Sequence, residues 1–291
     1  MLNKLEFKKV RDFGETVNDT FQFIKQNFKP LLKVFFYLCG FFLLATMIST
    51  IMQQISMQKI LTSPSGNSPW KMYRSFFSWQ YLVTILFSLA NYTAVTVTVL
   101  SFISIYIQKG NVAPVVEEVW AYFKYYYFRV LAGTLLLSVF MILCLIPCGI
   151  PFVYVFPAMS LFFPIMIFEN ATISYSFSRA FKLVSNNWGL TAGCIFIIWV
   201  ITYASISFAS LPAIILSVVG AFTSGAKGLS NTVIIITTVI QSLCQVFLIL
   251  PIVGASLCYY NLVERHENTG LLGRINQMGE TKETANDTEE Y

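Results

Sequence analysis

The sequence predicts an all-α polytopic membrane helical bundle, with about six transmembrane helices in three hairpins, each hairpin preceded by an interfacial amphipathic helix. Three observations predict it. First, 56% of the 291 residues are hydrophobic and only 11% are charged, whereas a soluble domain carries roughly 25% charge. So few charges cannot cover a water-facing surface, and the excess apolar surface is expected to face lipid. Second, the charges are segregated. None falls in 34–58, 75–108, 130–168, 183–226 or 228–263, and uncharged apolar runs of roughly 18 or more residues read as membrane spans. Third, the segments leading into these runs carry apolar residues at three- and four-residue spacing.

One pass through the hydrocarbon takes about 20 residues. The run 34–58 fits one pass, placed at about 34–56, and the next fits one long or tilted pass at about 79–107. The run 130–168 is too long for one. Its middle reads Ile146-Pro147-Cys148-Gly149-Ile150-Pro151, a breaker cluster, which divides it into short helices at about 130–146 and 152–168. Whether that pair crosses fully or re-enters is left open. The last two runs hold passes at about 189–216 and 234–262. Together 1–265 form a single transmembrane domain. The polar tail 266–291 is expected to be disordered, and the loop 59–78, with Ser63-Pro64-Ser65-Gly66-Asn67-Ser68-Pro69, is not expected to form a domain.

The interfacial helices are expected at about 8–28, 114–127 and 172–186. Val10, Phe13, Val17, Phe21, Ile24 and Phe28 mark the first face. Val116, Val119, Phe123 and Tyr126 mark the second, and Ile173, Phe177, Ala180, Phe181 and Val184 the third. The junctions align weakly on Phe28, Phe128 and Trp188, suggesting three repeated units. Two settings suit such helices: the headgroup plane with basic residues toward anionic lipid, or the ends of the protein's own helices. Arg179, Lys182, Lys124, Arg129 and Trp188 are the candidate headgroup or interface contacts. The aromatic run 120–128 suits an interfacial belt.

Orientation follows from the basic residues. With the N-terminus inside, all but Lys59, Lys71, Arg74 and Lys227 of the 19 Lys and Arg fall on the inner side. Both termini are therefore expected on the cytoplasmic side, with the chain in a cytoplasmic (inner) membrane. The mixed-charge first 33 residues and the length of the first apolar run argue against a cleavable signal.

Chemistry is sparse. No ionisable residue falls at an expected span centre, which lowers the expectation of an ion-coupled carrier. Asn91, Gln241 and Gln245 form a candidate intramembrane polar cluster, read either as a polar path or as interhelical hydrogen bonding. Prolines at 147, 151, 157, 164, 212 and 251 invite a broken-helix transporter reading, although proline is common in membrane helices. The cysteines, Cys39, Cys144, Cys148, Cys194, Cys244 and Cys258, lie in apolar runs and read as small hydrophobes. His266 is the only histidine, so neither a multi-histidine metal site nor a Ser-His-Asp site is expected. Asp12-Phe13-Gly14 matches the magnesium-binding string of kinases by chance, without the loops that belong with it. No cofactor, metal or nucleic-acid partner is expected.

The segment Phe168-Glu169-Asn170 through Arg179-Ala180-Phe181-Lys182-Leu183 to Asn187-Trp188 resembles a signature of the membrane domain fused to some glycerophosphodiester phosphodiesterases, and of YciC-type uncharacterised bacterial membrane proteins. Cys258-Tyr259-Tyr260-Asn261-Leu262-Val263-Glu264-Arg265 resembles that family's last-helix exit, with Asn261 where Asp is common, so no role for that carboxylate is carried over. The resemblance covers about 150–265 and implies a six-helix bundle with interfacial helices. It does not imply phosphodiesterase activity, for which the chain has no soluble barrel. The expected function is that of a non-enzymatic, lipid-interacting or membrane-organising scaffold, whose partners are anionic inner-leaflet lipids and an unidentified membrane protein. The alternative is a transporter or flippase-like protein for an apolar or lipid substrate.

Overall fold

The computed structural model describes residues 5–61, 78–146, 149–185, 187–224 and 230–267. The Pro147-Cys148 step, Asn186, most of the loop 59–78, Lys227 and the tail beyond Glu267 lie outside the described residues. Those described form helices: α1 Phe13–Leu61, α2 Trp79–Gln108, α3 Val116–Leu145, α4 Ile150–Ser160, α5 Phe162–Phe168, α6 Ile173–Ser185, α7 Trp188–Ala209, α8 Leu211–Ser224, α9 Asn231–Leu243 and α10 Ile249–Glu267, with a 3₁₀ segment at Cys244–Leu248 between the last two. There is no strand among the described residues. Among the described residues, six helical stretches are long and apolar enough to cross a membrane, at 13–60, 79–108, 116–145, 151–168, 188–209 and 231–267. These are the helices of a multi-pass membrane protein.

Local chemistry sets the helix ends. Asp12 and Glu15 exchange bonds, Glu15 N–H donating to Asp12 Oδ1 at 2.7 Å and Asp12 N–H to Glu15 Oε2 at 3.3 Å. This capping box starts α1 at Phe13, so residues 5–12, where helix was expected from about 8, form a non-helical strap. Asn27 breaks helical geometry (φ −109°, ψ 16°) three residues before Pro30, and α1 bends there into its membrane portion. Its amide nitrogen donates to Phe23 O at 3.1 Å. Ser78 and Ser230 cap α2 and α9.

The separate helices expected at about 114–127 and 130–146 are one element. Nothing between Val116 and Leu145 breaks the helix, and its 30 residues span about 45 Å, more than the hydrocarbon needs. The expected pass at 152–168 is instead divided at Leu161 into α4 and α5, each containing a proline, Pro157 and Pro164. The pass expected to reach 216 ends at Ala209, ahead of Pro212. The last run stays helical but tightens to 3₁₀ just ahead of Pro251, which has no N–H for the carbonyl of Phe247.

α2 is the central helix: every residue from Thr93 to Tyr106 is buried, as expected of a helix apolar all round. Hydroxyls join it to its neighbours. Ser49 and Thr84 Oγ atoms lie 2.8 Å apart, Thr46 donates to Phe87 O at 3.1 Å, and Thr93 to Thr134 Oγ1 at 3.1 Å. Such bonds hold helices together where the hydrophobic effect gives them no reason to associate. Small residues allow close approach elsewhere: Gly133 of α3 lies against Phe162 and Met166, and Gly254 of α10 against Ile198 of α7.

Candidate functional site

Three regions are candidates: the basic and aromatic positions at helix ends, the intramembrane amides, and the cavities. The helix-end region begins with the strap. Phe7 is buried in an aromatic box, its ring 5.1 Å from Phe23, 6.2 Å from Tyr106 and 5.6 Å from Tyr260. Arg11 is 1% exposed. Its guanidinium donates to Asp19 Oδ2 at 2.7 Å, to Phe7 O at 2.8 Å, to Lys9 O at 3.1 Å and to Glu6 O. Its backbone N–H donates to Asn261 Oδ1 at 2.9 Å, an oxygen that also accepts from Arg265 Nε at 3.2 Å. Arg265 returns a bond to Arg11 O at 2.8 Å. The start of α1 and the end of α10 are thus tied at one end of the bundle. No periodicity announces Arg11 or Phe7, and the sequence pattern gives no sign of either.

The same end carries the Glu169-Asn170 pair. Glu169 Oε1 accepts from Tyr259 Oη at 3.0 Å and from Arg179 Nε at 3.4 Å, while Arg179 also pairs with Glu267. Partial burial works against the Arg179 charge, but the bond to Glu267 and the charges of Glu169 and Glu267 outweigh it, and its pKa lies above the ordinary arginine value. Asn170 turns the chain at φ 47°, a conformation Asn tolerates. Arg129 holds that turn, donating to Asn170 Oδ1 at 2.8 Å and to the carbonyls of Asn170 and Ala171. Arg179 and Arg129, both expected as headgroup or interface contacts, bond to other groups of the protein.

Lys124 and Lys182 are exposed. The Lys124 ammonium stands 5.5 Å from the Trp120 ring centroid, a cation–π contact beside the exposed rings of Tyr125 and Phe128. Trp188 donates from Nε1 to Tyr154 O at 3.0 Å and stacks on its ring at 5.8 Å, pinning the start of α7 to α4. The apolar face of α6 is turned into the bundle: Ala180, Leu183 and Val184 are buried, and Phe177 meets Phe140 at 5.2 Å.

Of the expected amide cluster, the structure joins two members. Asn91 Nδ2 donates to Gln245 Oε1 across α2 and the 3₁₀ segment. Gln241 is exposed, and among the described residues no hydrogen bond joins it to them. Asn91 Oδ1 is buried without a partner, and none of the three amides lines a described cavity.

The cavities lie elsewhere. A groove of about 790 Å³ runs between α4 and α7, walled by Phe152, Val153, Phe156, Trp188, Phe196 and Trp199 among others. Adjoining it is a second, half-open cavity of about 200 Å³ between α2, α3, α4, α5, α7 and α10. Phe152, Phe156 and Trp199 line both, so the two adjoin through these rings. Neither lining contains a charged residue. Among the described residues no group of three or more His, Cys, Asp or Glu is placed to hold a metal. Comparison with family models, curated proteins and solved structures finds no match to this chain.

Proposed function

We propose that the chain is a non-enzymatic scaffold of a bacterial cytoplasmic membrane that binds lipid, with both termini in the cytoplasm, and that it is related to YciC-type membrane proteins. The observation that carries the scaffold reading is the Asn91–Gln245 bond. It engages two amides of apolar, membrane-length helices with each other, neither of them lining a described cavity, as helix packing requires and a polar path does not. The bond from Arg265 to Arg11 O, and the Asn261 oxygen that both arginines share, support termini on one side, as does an even number of crossings. The exposed Lys124 and Lys182, one over Trp120, supply the cationic and aromatic groups that anionic headgroups attract.

Native mass spectrometry of protein released from mild detergent tests this. Lys124→Glu with Lys182→Glu is expected to lose co-purified phosphatidylglycerol relative to the unaltered protein. Arg179→Glu, placed between Glu169 and Glu267, is expected to lower thermal stability instead. Unchanged anionic lipid in the double lysine variant would refute the headgroup role. The second reading, a transporter or flippase-like protein for lipid, is favoured by the lateral groove alone. It requires a fluorescent phospholipid to cross vesicles bearing the protein faster than protein-free ones. The scaffold reading expects no difference.

A further inference from the structure

We infer that the groove between α4 and α7, with the cavity adjoining it, is a binding site for one hydrocarbon tail of a membrane lipid. The inference rests on the lipid-binding reading above and names the site and the part of the lipid it takes. The physical case starts at the mouth. Both walls belong to stretches long and apolar enough to span a bilayer, 151–168 and 188–209, and Val153, Phe196, Val200 and Tyr203 on the rim are exposed. In a bilayer the medium at that opening is hydrocarbon, not water.

The lining then selects the occupant. No acidic or basic side chain touches either space, so a charged or strongly hydrogen-bonding ligand would be desolvated without partners. The hydroxyls in the adjoining cavity are already used: Thr96 donates to Tyr92 O at 2.9 Å, Ser160 donates to Phe156 O at 2.9 Å, and the Tyr92 phenol bonds with the Thr96 side chain. What remains is an apolar, largely aromatic surface. An apolar cavity of about 150 Å³ stays dry yet admits benzene, and the adjoining cavity here is about 200 Å³. It is large enough for the end of an alkyl or isoprenoid tail. The outer groove lies within the 300–1,000 Å³ or so usual for ligand sites and holds the rest.

Prolines border both spaces. Pro157 lines the groove, and Pro164 and Pro251 line the adjoining cavity. Pro164 follows the break at Leu161 and Pro251 follows the 3₁₀ segment, places where a ring without an N–H disfavours a regular helical turn. The continuation beyond Phe156 and Trp199, whose rings lie 6.2 Å apart, marks a site for one tail.

The test uses the full-length protein in phosphatidylcholine and phosphatidylglycerol vesicles containing phosphatidylcholine with a diazirine near the end of one acyl tail. After irradiation, adducts are mapped by peptide mass spectrometry. The expected result is labelling of inner-wall residues such as Thr96, Met159 and Ala255, lost in Ala192→Trp, which fills the groove. Phe222→Trp, on the exposed face of α8, should leave it unchanged, and Phe156→Ala, which widens the passage, should retain it. Labelling confined to outward residues such as Phe208 and Phe222 would overturn the proposal, as would inner-wall labelling indifferent to Ala192→Trp. The lysine-dependent retention of phosphatidylglycerol, measured on the same preparations, separates the readings. Retention without inner-wall labelling refutes the tail site alone, and labelling without lysine-dependent retention supports the tail site while refuting the headgroup role.

Discussion

One amide oxygen, Asn261 Oδ1, accepts from both Arg11 N–H and Arg265 Nε. Replacing Asn261 by Leu leaves a buried backbone donor without a partner and is expected to cost about 1–3 kcal/mol, read as a lower melting temperature in detergent. Asn261→Asp keeps both acceptances and adds a negative charge opposite Arg265, so stability is expected to hold or rise. A fall as large as that of the Leu variant would show that the oxygen is not the feature that matters. The Asn91–Gln245 pair makes the complementary case. Gln245→Ala strands the Asn91 amide beside an oxygen that already lacks a partner, at an expected cost of about 0.6–1.7 kcal/mol. Leu at both positions removes every buried polar atom of the pair and is expected to come near neutral. A double-mutant cycle reads the difference, and additive losses would sink the pairing.

At the scale of elements, capping and proline chemistry decide the boundaries, and much of it is legible in the sequence. Asp12 and Glu15 stand at capping-box spacing, although the Asp12-Phe13-Gly14 string looks more like a kinase motif than a helix start. The prolines at 157, 164, 212 and 251 each stand at or close to a break or tightening in the helices. What the sequence withholds is contact between distant helices. The amphipathic pattern of 173–184 identifies the buried face of α6 but not what covers it, because lipid and protein demand the same apolar stripe. The approach of α7 to α10 is equally hidden, since Gly254 looks like any glycine until its neighbour is known. A Cβ at Gly254 would stand 2.4 Å from Ile198 Cδ1. Gly254→Ala is therefore expected to destabilise by about 1–3 kcal/mol through overpacking. Ile198→Val, which removes that methyl, is expected to restore part of the loss in the double variant. Melting temperatures of the four proteins check this, and two separately additive losses would contradict it.

For the molecule as a whole, hydropathy carries the architecture: solvent choice alone dictates apolar helices about 20 residues long or more. The strap has no such signal, because residues 5–11 are few and mixed in charge, and the burial of Leu5, Phe7 and Arg11 depends on three helix ends meeting. That arrangement makes the strap a test of how cooperative the bundle is. Phe7 touches Phe23 of α1, Tyr106 of α2 and Tyr260 of α10, and Arg11 joins the ends of α1 and α10 through Asp19 and Asn261. If these ends depend on one another, removing the ring does more than release a terminus. Phe7→Ala is expected to cost about 3–5 kcal/mol and to lower the single melting transition of the whole protein. Phe7→Leu, which keeps much of the volume, is expected to cost less. Limited proteolysis distinguishes a local effect. Rapid cleavage near residues 5–12 with an unchanged melting temperature would mean that the strap frays independently, and that the helix ends hold together through Arg265 and the membrane portions alone.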